Sequence, residues 1–326
     1  MQEFDLVTIG DALIDHFLTI HNDSKFSEIK PDTHQFCFIS GSKIMVDTSE
    51  FHLGGNACNV AVGSSRLGLH TAIVAEIGQD EFSQKITLGL QKNNVDMSRL
   101  KQTPGTASTF SISLSFMGDR TNFVHHVERK HEIEIEDIFA KMIYLTSLGK
   151  EWKPMYVRVL AYRNTHPDTV LVFNPGSLQM QEGRESFKDV LGVTDILIVN
   201  KEEAEQILYG TVQHTENQAT TSEVLLKELQ KLGPQIVCMT DGPNGSFVIG
   251  LDGIMHTQGL AKANMVQKTG AGDAYSTGFL GALLYGEDLA TAMKWGAVSS
   301  ASVIEHTGAQ VGLLTKEGLR ERLQTV

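Results

Sequence analysis

The amino-acid sequence predicts a doubly wound α/β fold, in which a mostly parallel sheet carries helices on both faces. Two observations support this prediction. Short runs of apolar, often β-branched residues are continuous rather than alternating, which is typical of strands buried on both faces. Helical stretches separate these runs, and repeated strand–helix–strand units form parallel sheets. The predicted strands are residues 4–9, 71–77, 142–145, 169–173, 196–199 and 236–239.

The predicted helices fill the chain between these strands. Asn200 stands where one of them begins, and Asn is a favoured residue at a helix N-terminus. The last part of the chain is more helical than the rest. The predicted helices are residues 56–67, 81–93, 152–164, 201–208, 221–232, 271–285, 289–304 and 316–323.

Two segments interrupt this alternation with strand-like pieces. The first contains FCFISG and KIMVDTS, and the second reads STFSISLSFMGDRTNFVHH, two alternating strands joined at Gly118-Asp119 as in a hairpin. The two segments could pair into a small second sheet, which we interpret as a lid over the ligand-binding edge. The alternative is two unrelated surface hairpins. The predicted units are a core of residues 1–15, 52–107 and 127–326 and a β lid of residues 16–51 and 108–126.

Composition limits the classes of function. The 326 residues include 27 Lys and Arg and 39 Asp and Glu, for a net charge of −12. This charge argues against a nucleic-acid or membrane-surface partner, although it allows a nucleotide in a pocket lined by backbone N–H groups. Apolar runs are shorter than the ~20 residues that span a bilayer, and the acidic N-terminus does not resemble a signal peptide. Cys37, Cys58 and Cys238 are too few and too scattered for a disulfide framework, so we expect a cytoplasmic protein.

The strongest motif is KTGAGDA at residues 268–274. Its small residues Gly270, Ala271 and Gly272 lead directly into a helix, where free N–H groups can bind an anion. Asp273 lies in the first helical turn. It could cap the helix, the commoner role for Asp there, or act as a base beside the anion.

A second turn, TDGPNG at residues 240–245, follows a predicted strand. The carboxyl ends of strands bind ligands in open α/β sheets. Thr240, Gly242 and Gly245 would allow a phosphate to approach the backbone closely. The same residues also suit an ordinary turn.

The pair Asn200 and Glu203 stands at the start of a predicted helix. Three positions apart, the two can form a capping box. They could instead orient water around Mg²⁺ and nucleotide phosphates.

The last two motifs lie near the N-terminus. In GGNACN, Gly54 and Gly55 allow a ligand to approach, and Asn56 and Asn59 offer amides to hydroxyl groups. Asp15 follows the first strand, and its carboxylate can accept hydrogen bonds from neighbouring hydroxyls of a polyol. Taken alone, each of these two motifs would indicate little more than a turn.

All five motifs fall at a strand end or a helix start, on what would be one edge of a doubly wound sheet. In this order, and over almost the full length, the chain resembles the ribokinase-like sugar kinase family, also called the phosphofructokinase-B family. The resemblance implies an α/β sandwich with a β lid. It also implies transfer of the γ-phosphoryl of ATP to a hydroxyl of a small sugar.

The resemblance also implies roles for individual residues. Asp273 would deprotonate the acceptor hydroxyl, beside an anion hole at Gly270, Ala271 and Gly272. Glu203 would hold Mg²⁺ through water. The acceptor would contact Asp15, Gly54, Gly55, Asn56 and Asn59. The nucleotide would contact Asn200, Thr240, Gly242, Gly245 and Gly308.

One departure from the family concerns a cation. Many relatives carry an Asp six residues before the catalytic Asp, as part of a monovalent-cation site. This chain has Gln267 there, which calls potassium activation into question.

The choice of acceptor stays open at this stage. A nucleoside kinase would share the phosphate machinery, and Phe38 and Phe116 in the lid could then stack on a base. A phosphosugar kinase would need basic residues near the acceptor, for which Lys43, Arg66 and Arg120 are candidates. A non-catalytic homologue that binds nucleotide or sugar is a further alternative, against which Asp273 and the anion-hole glycines argue. Because the lid has exposed strand edges, we also predict a homodimer formed through it.

Overall fold

A computed structural model describes residues 3–22, 25–30, 32–33, 35–117, 119–211 and 221–324. Its strands alternate with helices along most of the chain. In chain order the strands are β1 (Phe4–Ile9), β2 (Leu13–Ile20), β3 (Ser27–Lys30), β4 (Gln35–Phe38), β5 (Val46–Gly54), β6 (Thr71–Ile77), β7 (Asp96–Gln102), β8 (Phe110–Phe116), β9 (Asp119–His125), β10 (Ala140–Leu145), β11 (Val170–Phe173), β12 (Ile196–Asn200), β13 (Ile236–Thr240), β14 (Ser246–Ile249) and β15 (Met255–Gln258).

The helices lie close to their predicted positions, and two short ones, α4 and α5, were not predicted. In chain order they are α1 (Asn56–Arg66), α2 (Glu81–Lys92), α3 (Lys153–Thr165), α4 (Ser177–Glu182), α5 (Lys188–Gly192), α6 (Lys201–Tyr209), α7 (Ser222–Gln230), α8 (Ala271–Leu284), α9 (Leu289–Ile304) and α10 (Lys316–Leu323). Of the helices described, none is long and apolar enough to cross a membrane.

The large sheet has the strand order β15-β14-β13-β12-β11-β10-β1-β6-β7 in the described chain. Strands β7 and β10 to β13, with β1 and β6, pair in parallel, and β14 and β15 add an antiparallel edge. All six predicted strands belong to this sheet. Strands β7, β14 and β15 were missed because their apolar runs are short or interrupted by charge.

Helices cover both faces of this sheet, which confirms the predicted doubly wound class. On one face, β-strand residues such as Leu145 and Leu197 pack with α3, α6 and α7. On the other, Leu6 and Tyr144 pack with α1, α8 and α9. Parallel strands that are buried on both sides in this way read as continuous apolar runs.

A small separate sheet has the order β5-β2-β8-β9. Strand β2 pairs antiparallel with β5 and parallel with β8, and β8 pairs antiparallel with β9. The two interrupting segments therefore pair with each other, and they are not unrelated hairpins. Gly118, in the predicted β8–β9 turn, lies outside the described residues.

Candidate active site

A cavity of about 310 Å³ separates the small sheet from the carboxyl edge of the large sheet. It brings together residues of the KTGAGDA motif, the GGNACN motif and the segment from Asp11 to Asp15 with one face of the small sheet. We name it the acceptor cavity. Its walls include Asp11, Leu13, Asp15, Phe17, Gly55, Asn56, Asn59, Ser111, Ser113, Asn122, Val124, His126, Ser147, Ser177, Leu178, Thr269, Gly270 and Asp273.

The N-terminus of α8 forms one wall of this cavity. Gly270 is its N-cap, with φ 77° in the left-handed region, and no side chain caps the helix. A Cβ at Gly270 would lie 2.5 Å from that of Ala309, so both backbone angle and packing require glycine. In the first turn, the amides of Gly272 and Asp273 precede any carbonyl of the helix that they could bond. This terminus can therefore bind an anion.

Asp273 is not the cap of α8, since it lies three residues into the helix. Its carboxylate Oδ2 accepts a hydrogen bond of 2.8 Å from Asn59 Nδ2 and faces the acceptor cavity. The pKa of Asp273 is raised to about 7, chiefly by burial, with the charges of Asp15 and Glu203 acting in the same direction and the bond from Asn59 opposing them. A carboxylate with a pKa near 7 is suited to general-base catalysis at neutral pH.

The amide of Asn59 is oriented from its other side. Gln310 Nε2 donates to Asn59 Oδ1 at 2.9 Å, and Arg66 donates to the Gln310 carbonyl at 2.7 Å. Asn59 must therefore present its NH₂ group to Asp273. Arg66 is committed to this support and is not a phosphate-binding residue of the acceptor cavity.

Asp15 lies across the cavity from α8, against the GGN turn. The Ser111 hydroxyl donates to its carboxylate, and burial raises its pKa. A Cβ at Gly54 would overlap the Asp15 carboxylate, and one at Gly55, whose φ is 95°, would overlap the Asp11 backbone. The two glycines thus let the start of α1 reach the carboxyl end of β1 and the beginning of β2. Gly54 itself does not line the cavity.

A second cavity, also of about 310 Å³, lies on the other side of the α8 N-terminus. We name it the nucleotide cavity. Thr240, Gly242 and Gly245, which the TDGPNG turn contributes, line it together with Ala271 and Gly272. Its remaining walls are mostly apolar: Leu260, Ala261, Ala263, Met265, Ala297, Ala301 and Ile304.

Asn200 and Glu203 line neither of these two cavities. They form the capping box that the sequence allowed: Asn200 N donates to Glu203 Oε2 at 2.9 Å, and Glu203 N donates to Asn200 Oδ1 at 2.8 Å. Burial raises the pKa of Glu203 to about 7. Its charge acts on Asp273, which places it within electrostatic reach of the α8 terminus.

Gln267 and Gly308 contact each other just outside the nucleotide cavity. The Gly308 N–H donates to Gln267 Oε1 at 2.8 Å, and the Gln267 backbone bonds the Ile304 carbonyl. One lone pair of this oxygen thus accepts from a backbone amide. The neutral Gln267 does not match the carboxylate that many relatives carry in the family's cation site.

Several cavity residues were missed in the sequence or underrated. Asp11 lines the cavity, accepts from Gly149 N at 3.3 Å, and has its pKa raised by burial to about 7. Ser113 and Asn122 were not singled out, because nothing in the sequence shows which face of β8 points inward. Arg120, a candidate for binding a phosphosugar, lies outside this lining, is half-buried and donates to the Thr269 hydroxyl beside Gly270.

Comparisons with known proteins agree with this arrangement. The sequence pattern of the pfkB family carbohydrate kinase matches residues 18–316. The ATP-dependent 6-phosphofructokinase of Thermoanaerobacterium thermosaccharolyticum is 24% identical, over 96% of this chain and 91% of its own. Among solved structures, the nucleoside kinase of Methanocaldococcus jannaschii superposes with a TM-score of 0.80 at 20% identity, covering 99% of both chains. Arabidopsis thaliana ribokinase, complexed with ribose and ATP, does so at 0.78 and 18%, also covering 99% of both.

Both the fold and the sequence pattern span nearly the whole chain. The structural likeness establishes the ribokinase fold. The family match makes the protein a phosphotransferase that acts on a sugar or nucleoside, with ATP as its co-substrate. Such a reaction requires donor and acceptor sites that meet, and here two cavities meet at a glycine-rich helix terminus beside a buried carboxylate. The chain belongs to the pfkB family of carbohydrate kinases.

Proposed function

We propose that this protein transfers the γ-phosphoryl of ATP to a hydroxyl of a small sugar bound in the acceptor cavity. One observation carries the proposal: the first turn of α8 lines both cavities. Gly270 and Asp273 face the acceptor cavity, whereas Ala271 and Gly272 face the nucleotide cavity. A phosphoryl group that moves from one cavity to the other must pass this terminus.

Asp273 would act as the general base. It accepts the proton of the acceptor hydroxyl as that oxygen forms its bond to the γ-phosphorus, while the bond from phosphorus to the β,γ-bridging oxygen breaks and ADP leaves. Its pKa of about 7 keeps it largely ionised at slightly alkaline pH. A positioned base contributes roughly 10²–10⁴-fold to such a rate.

The amides around Gly270, Ala271 and Gly272 would stabilise charge on the migrating phosphoryl. Phosphoryl transfer depends chiefly on positioning and on charge stabilisation. Loss of one oxyanion donor costs roughly 10²–10³-fold in rate. Arg120, bonded to Thr269 next to this terminus, would add a positive charge where the phosphoryl arrives.

On the donor side, Thr240, Gly242 and Gly245 would contact the nucleotide phosphates. Asn200 would help to orient the phosphates of the nucleotide. Gly308 would position the loop beside the base of the nucleotide. The apolar walls of the nucleotide cavity suit a purine ring.

The residues near Glu203 fit a magnesium ion held through water. One carboxylate oxygen is used in the capping box and the other is left for water, and Mg²⁺ typically keeps several waters with one or two carboxylates and substrate phosphates. When bound, the ion would neutralise charge on the phosphates.

On the acceptor side, Asp15, Asn56 and Asn59 would bond hydroxyl groups, with Gly54 and Gly55 allowing close approach. The cavity favours a sugar over a nucleoside, because Phe17 is the one phenylalanine, tyrosine or tryptophan among its described lining residues. Phe116 stacks instead on Phe36, with ring centroids 5.2 Å apart, and Phe38 packs against the same ring.

We further propose that residues 16–51 and 108–126 act as a lid on a core of residues 1–15, 52–107 and 127–326. The outer face of the small sheet exposes Phe51 and Phe123, 47% and 53% exposed. This apolar face supports a homodimer formed through the small sheet. The three free cysteines, two of them buried, suit the reducing cytoplasm.

The experiment is an ADP-release assay with Mg-ATP and a panel of pentoses, hexoses, nucleosides and phosphosugars. We expect turnover on a free sugar, with the corresponding sugar phosphate identified by ³¹P NMR. Turnover restricted to nucleosides would show that the acceptor is a nucleoside and not a sugar. ATP binding without turnover on any acceptor would instead indicate a non-catalytic homologue.

A further inference from the structure

The acceptor cavity has an unusual charge distribution for a site that must select among sugars and their acidic derivatives. On the basis of the function proposed above, we infer that its acceptor is an uncharged, polyhydroxylated compound, and that Ser113 bonds one of its hydroxyls. Phosphorylated and carboxylated acceptors are excluded.

Three carboxylates line the cavity: Asp11, Asp15 and Asp273. Within the described chain, no lysine or arginine lines it. A second negative group brought among these carboxylates would be repelled in a site of low dielectric constant. Like charges placed together across an interface cost several kcal/mol, which corresponds to a discrimination of at least about 100-fold.

Two arginines act electrostatically on Asp11 and Asp15, but neither of them lines the acceptor cavity. Arg129, whose charge acts on Asp11, is 5% exposed and donates to the Thr106 hydroxyl and the Ala107 carbonyl. Arg120, whose charge acts on Asp15, donates to Thr269 and lines a neighbouring cavity. Neither guanidinium lines the acceptor cavity to meet an anionic substituent of the acceptor.

Strand β8 turns serines toward the cavity and apolar side chains toward the outer face of the small sheet. A sheet strand usually has the reverse arrangement, with apolar side chains inside and polar ones outside. Ser111 and Ser113 point inward and are buried, whereas on the outer face Phe110, Ile112 and Leu114 are partly exposed and Phe116 is buried. Burying hydroxyls and exposing apolar side chains is unfavourable for folding alone. The inward face is therefore explained by a ligand that supplies hydrogen-bond partners.

Ser113 is the residue that most directly indicates such a ligand. It is 3% exposed and lines the cavity, and its Oγ is buried without a hydrogen-bond partner among the described residues. Buried polar groups are normally satisfied, so an exception calls for a missing partner. Asn122 lies directly opposite on β9 and lines the same wall. A hydroxyl group, which both donates and accepts, satisfies a serine and an amide side by side.

The test is titration calorimetry on the wild-type protein at pH 8, without nucleotide. The neutral ligands are ribose, fructose, glucose and inosine, and their acidic counterparts are ribose 5-phosphate, fructose 6-phosphate, gluconate and inosine 5′-monophosphate. We expect at least one neutral ligand to bind, and its acidic counterpart to bind at least about 100-fold more weakly. Equal or tighter binding of the acidic member would overturn the inference, as would the absence of binding by every neutral ligand.

This design separates the inference from the proposed function. If a neutral sugar binds but is never phosphorylated, the kinase proposal fails and the inference stands. If an acidic acceptor is phosphorylated as efficiently as its neutral counterpart, the kinase proposal stands and the inference fails.

Ser113 is tested by substitution on the ligand that binds. Ser113→Ala should weaken acceptor binding roughly tenfold, the equivalent of one lost hydrogen bond. Ser113→Thr should retain binding, and the melting temperature of Ser113→Ala should be equal or higher because an unsatisfied hydroxyl is removed.

The matched control is Ser64→Ala, since Ser64 Oγ is also buried and unpartnered but lies in α1, outside the cavity lining. We expect wild-type acceptor affinity from this control. Wild-type affinity in Ser113→Ala, or an equal loss in Ser64→Ala, would overturn the role of Ser113.

Discussion

Asn59 and Asp273 are 214 positions apart in the chain, and Asn59 Nδ2 donates a hydrogen bond of 2.8 Å to Asp273 Oδ2. This bond joins the first turn of α1 to the first turn of α8. It links the predicted acceptor motif to the predicted catalytic motif, and it favours the ionised form of the carboxylate. Since Asn59 is itself oriented by Gln310, the position of the base depends on the C-terminal segment as well.

Asp273→Asn should lower kcat by roughly 10²–10⁴-fold while leaving ATP affinity nearly unchanged. The melting temperature at pH 8 should be equal or higher, because a buried charge is removed and the amide oxygen can still accept from Asn59. Steady-state kinetics and calorimetry measure both. The exposed Asp168→Asn serves as control, and a wild-type kcat in Asp273→Asn would remove Asp273 from the role of base.

The rate should fall as pH decreases through about 7. Burial raises the pKa of Asp273 to about 7, and only the ionised form can accept a proton. Between pH 8 and pH 6, kcat/KM for the acceptor should therefore decrease roughly fivefold to tenfold, because kcat/KM reports the pKa of the free enzyme. A kcat/KM that stays constant down to pH 5 would be incompatible with a base of this pKa.

Asn59→Ala should move the acid limb of that profile to higher pH. Its hydrogen bond lowers the pKa of Asp273, and a hydrogen bond to a charged group contributes roughly 1.5–3 kcal/mol, so a shift of about one pH unit is expected. Asn164→Ala, at an exposed position on α3, should leave the profile unchanged. A shift to lower pH would show that Asn59 does not stabilise the ionised form.

Gly54→Ala should raise the acceptor KM by at least about tenfold, because the new methyl group would overlap the Asp15 carboxylate and displace it. The KM for ATP should change little, since Gly54 is remote from the nucleotide cavity lining. Gly192→Ala is the control, because a Cβ there meets open space. Equal acceptor KM values for the two variants would contradict the placement of Asp15.

Activity should not depend on the monovalent cation. Gln267 supplies no negative charge, and its side-chain oxygen already accepts a bond from the Gly308 N–H. Replacing potassium chloride with tetramethylammonium chloride at constant ionic strength should therefore leave kcat within about twofold, whereas an effect of 1.4 kcal/mol would change kcat ~10-fold. Activation of tenfold or more by potassium over tetramethylammonium would show that a cation is held despite Gln267.

Much of this structure could be predicted from local sequence. Continuous apolar runs identified six strands of the large sheet, from β1 to β13, and glycine-rich turns after them indicated the edge at which the two cavities lie. Such signals succeed because burial and backbone angle act on neighbouring residues. The TDGPNG turn, for example, was placed correctly because Gly242 and Gly245 adopt the positive φ that the sequence indicates.

The remainder depends on contacts between distant parts of the chain. Gln310 bonds both Asn59 and Arg66 across more than 240 positions, and no local pattern indicates this. Strand β8 was recognisable as alternating, but which of its faces turns inward is fixed by pairing with β2. For that reason Ser113 could not be identified as a cavity residue before the fold was known.

The most direct test of the central claim follows the phosphoryl group itself. The protein is incubated with [γ-³²P]ATP, Mg²⁺ and the acceptor that binds, and the label is traced in wild-type protein and in Asp273→Asn. We expect the label on the acceptor, appearing at least about 100-fold more slowly in the variant. Label released only as inorganic phosphate, or transferred at equal rates by both proteins, would contradict the account.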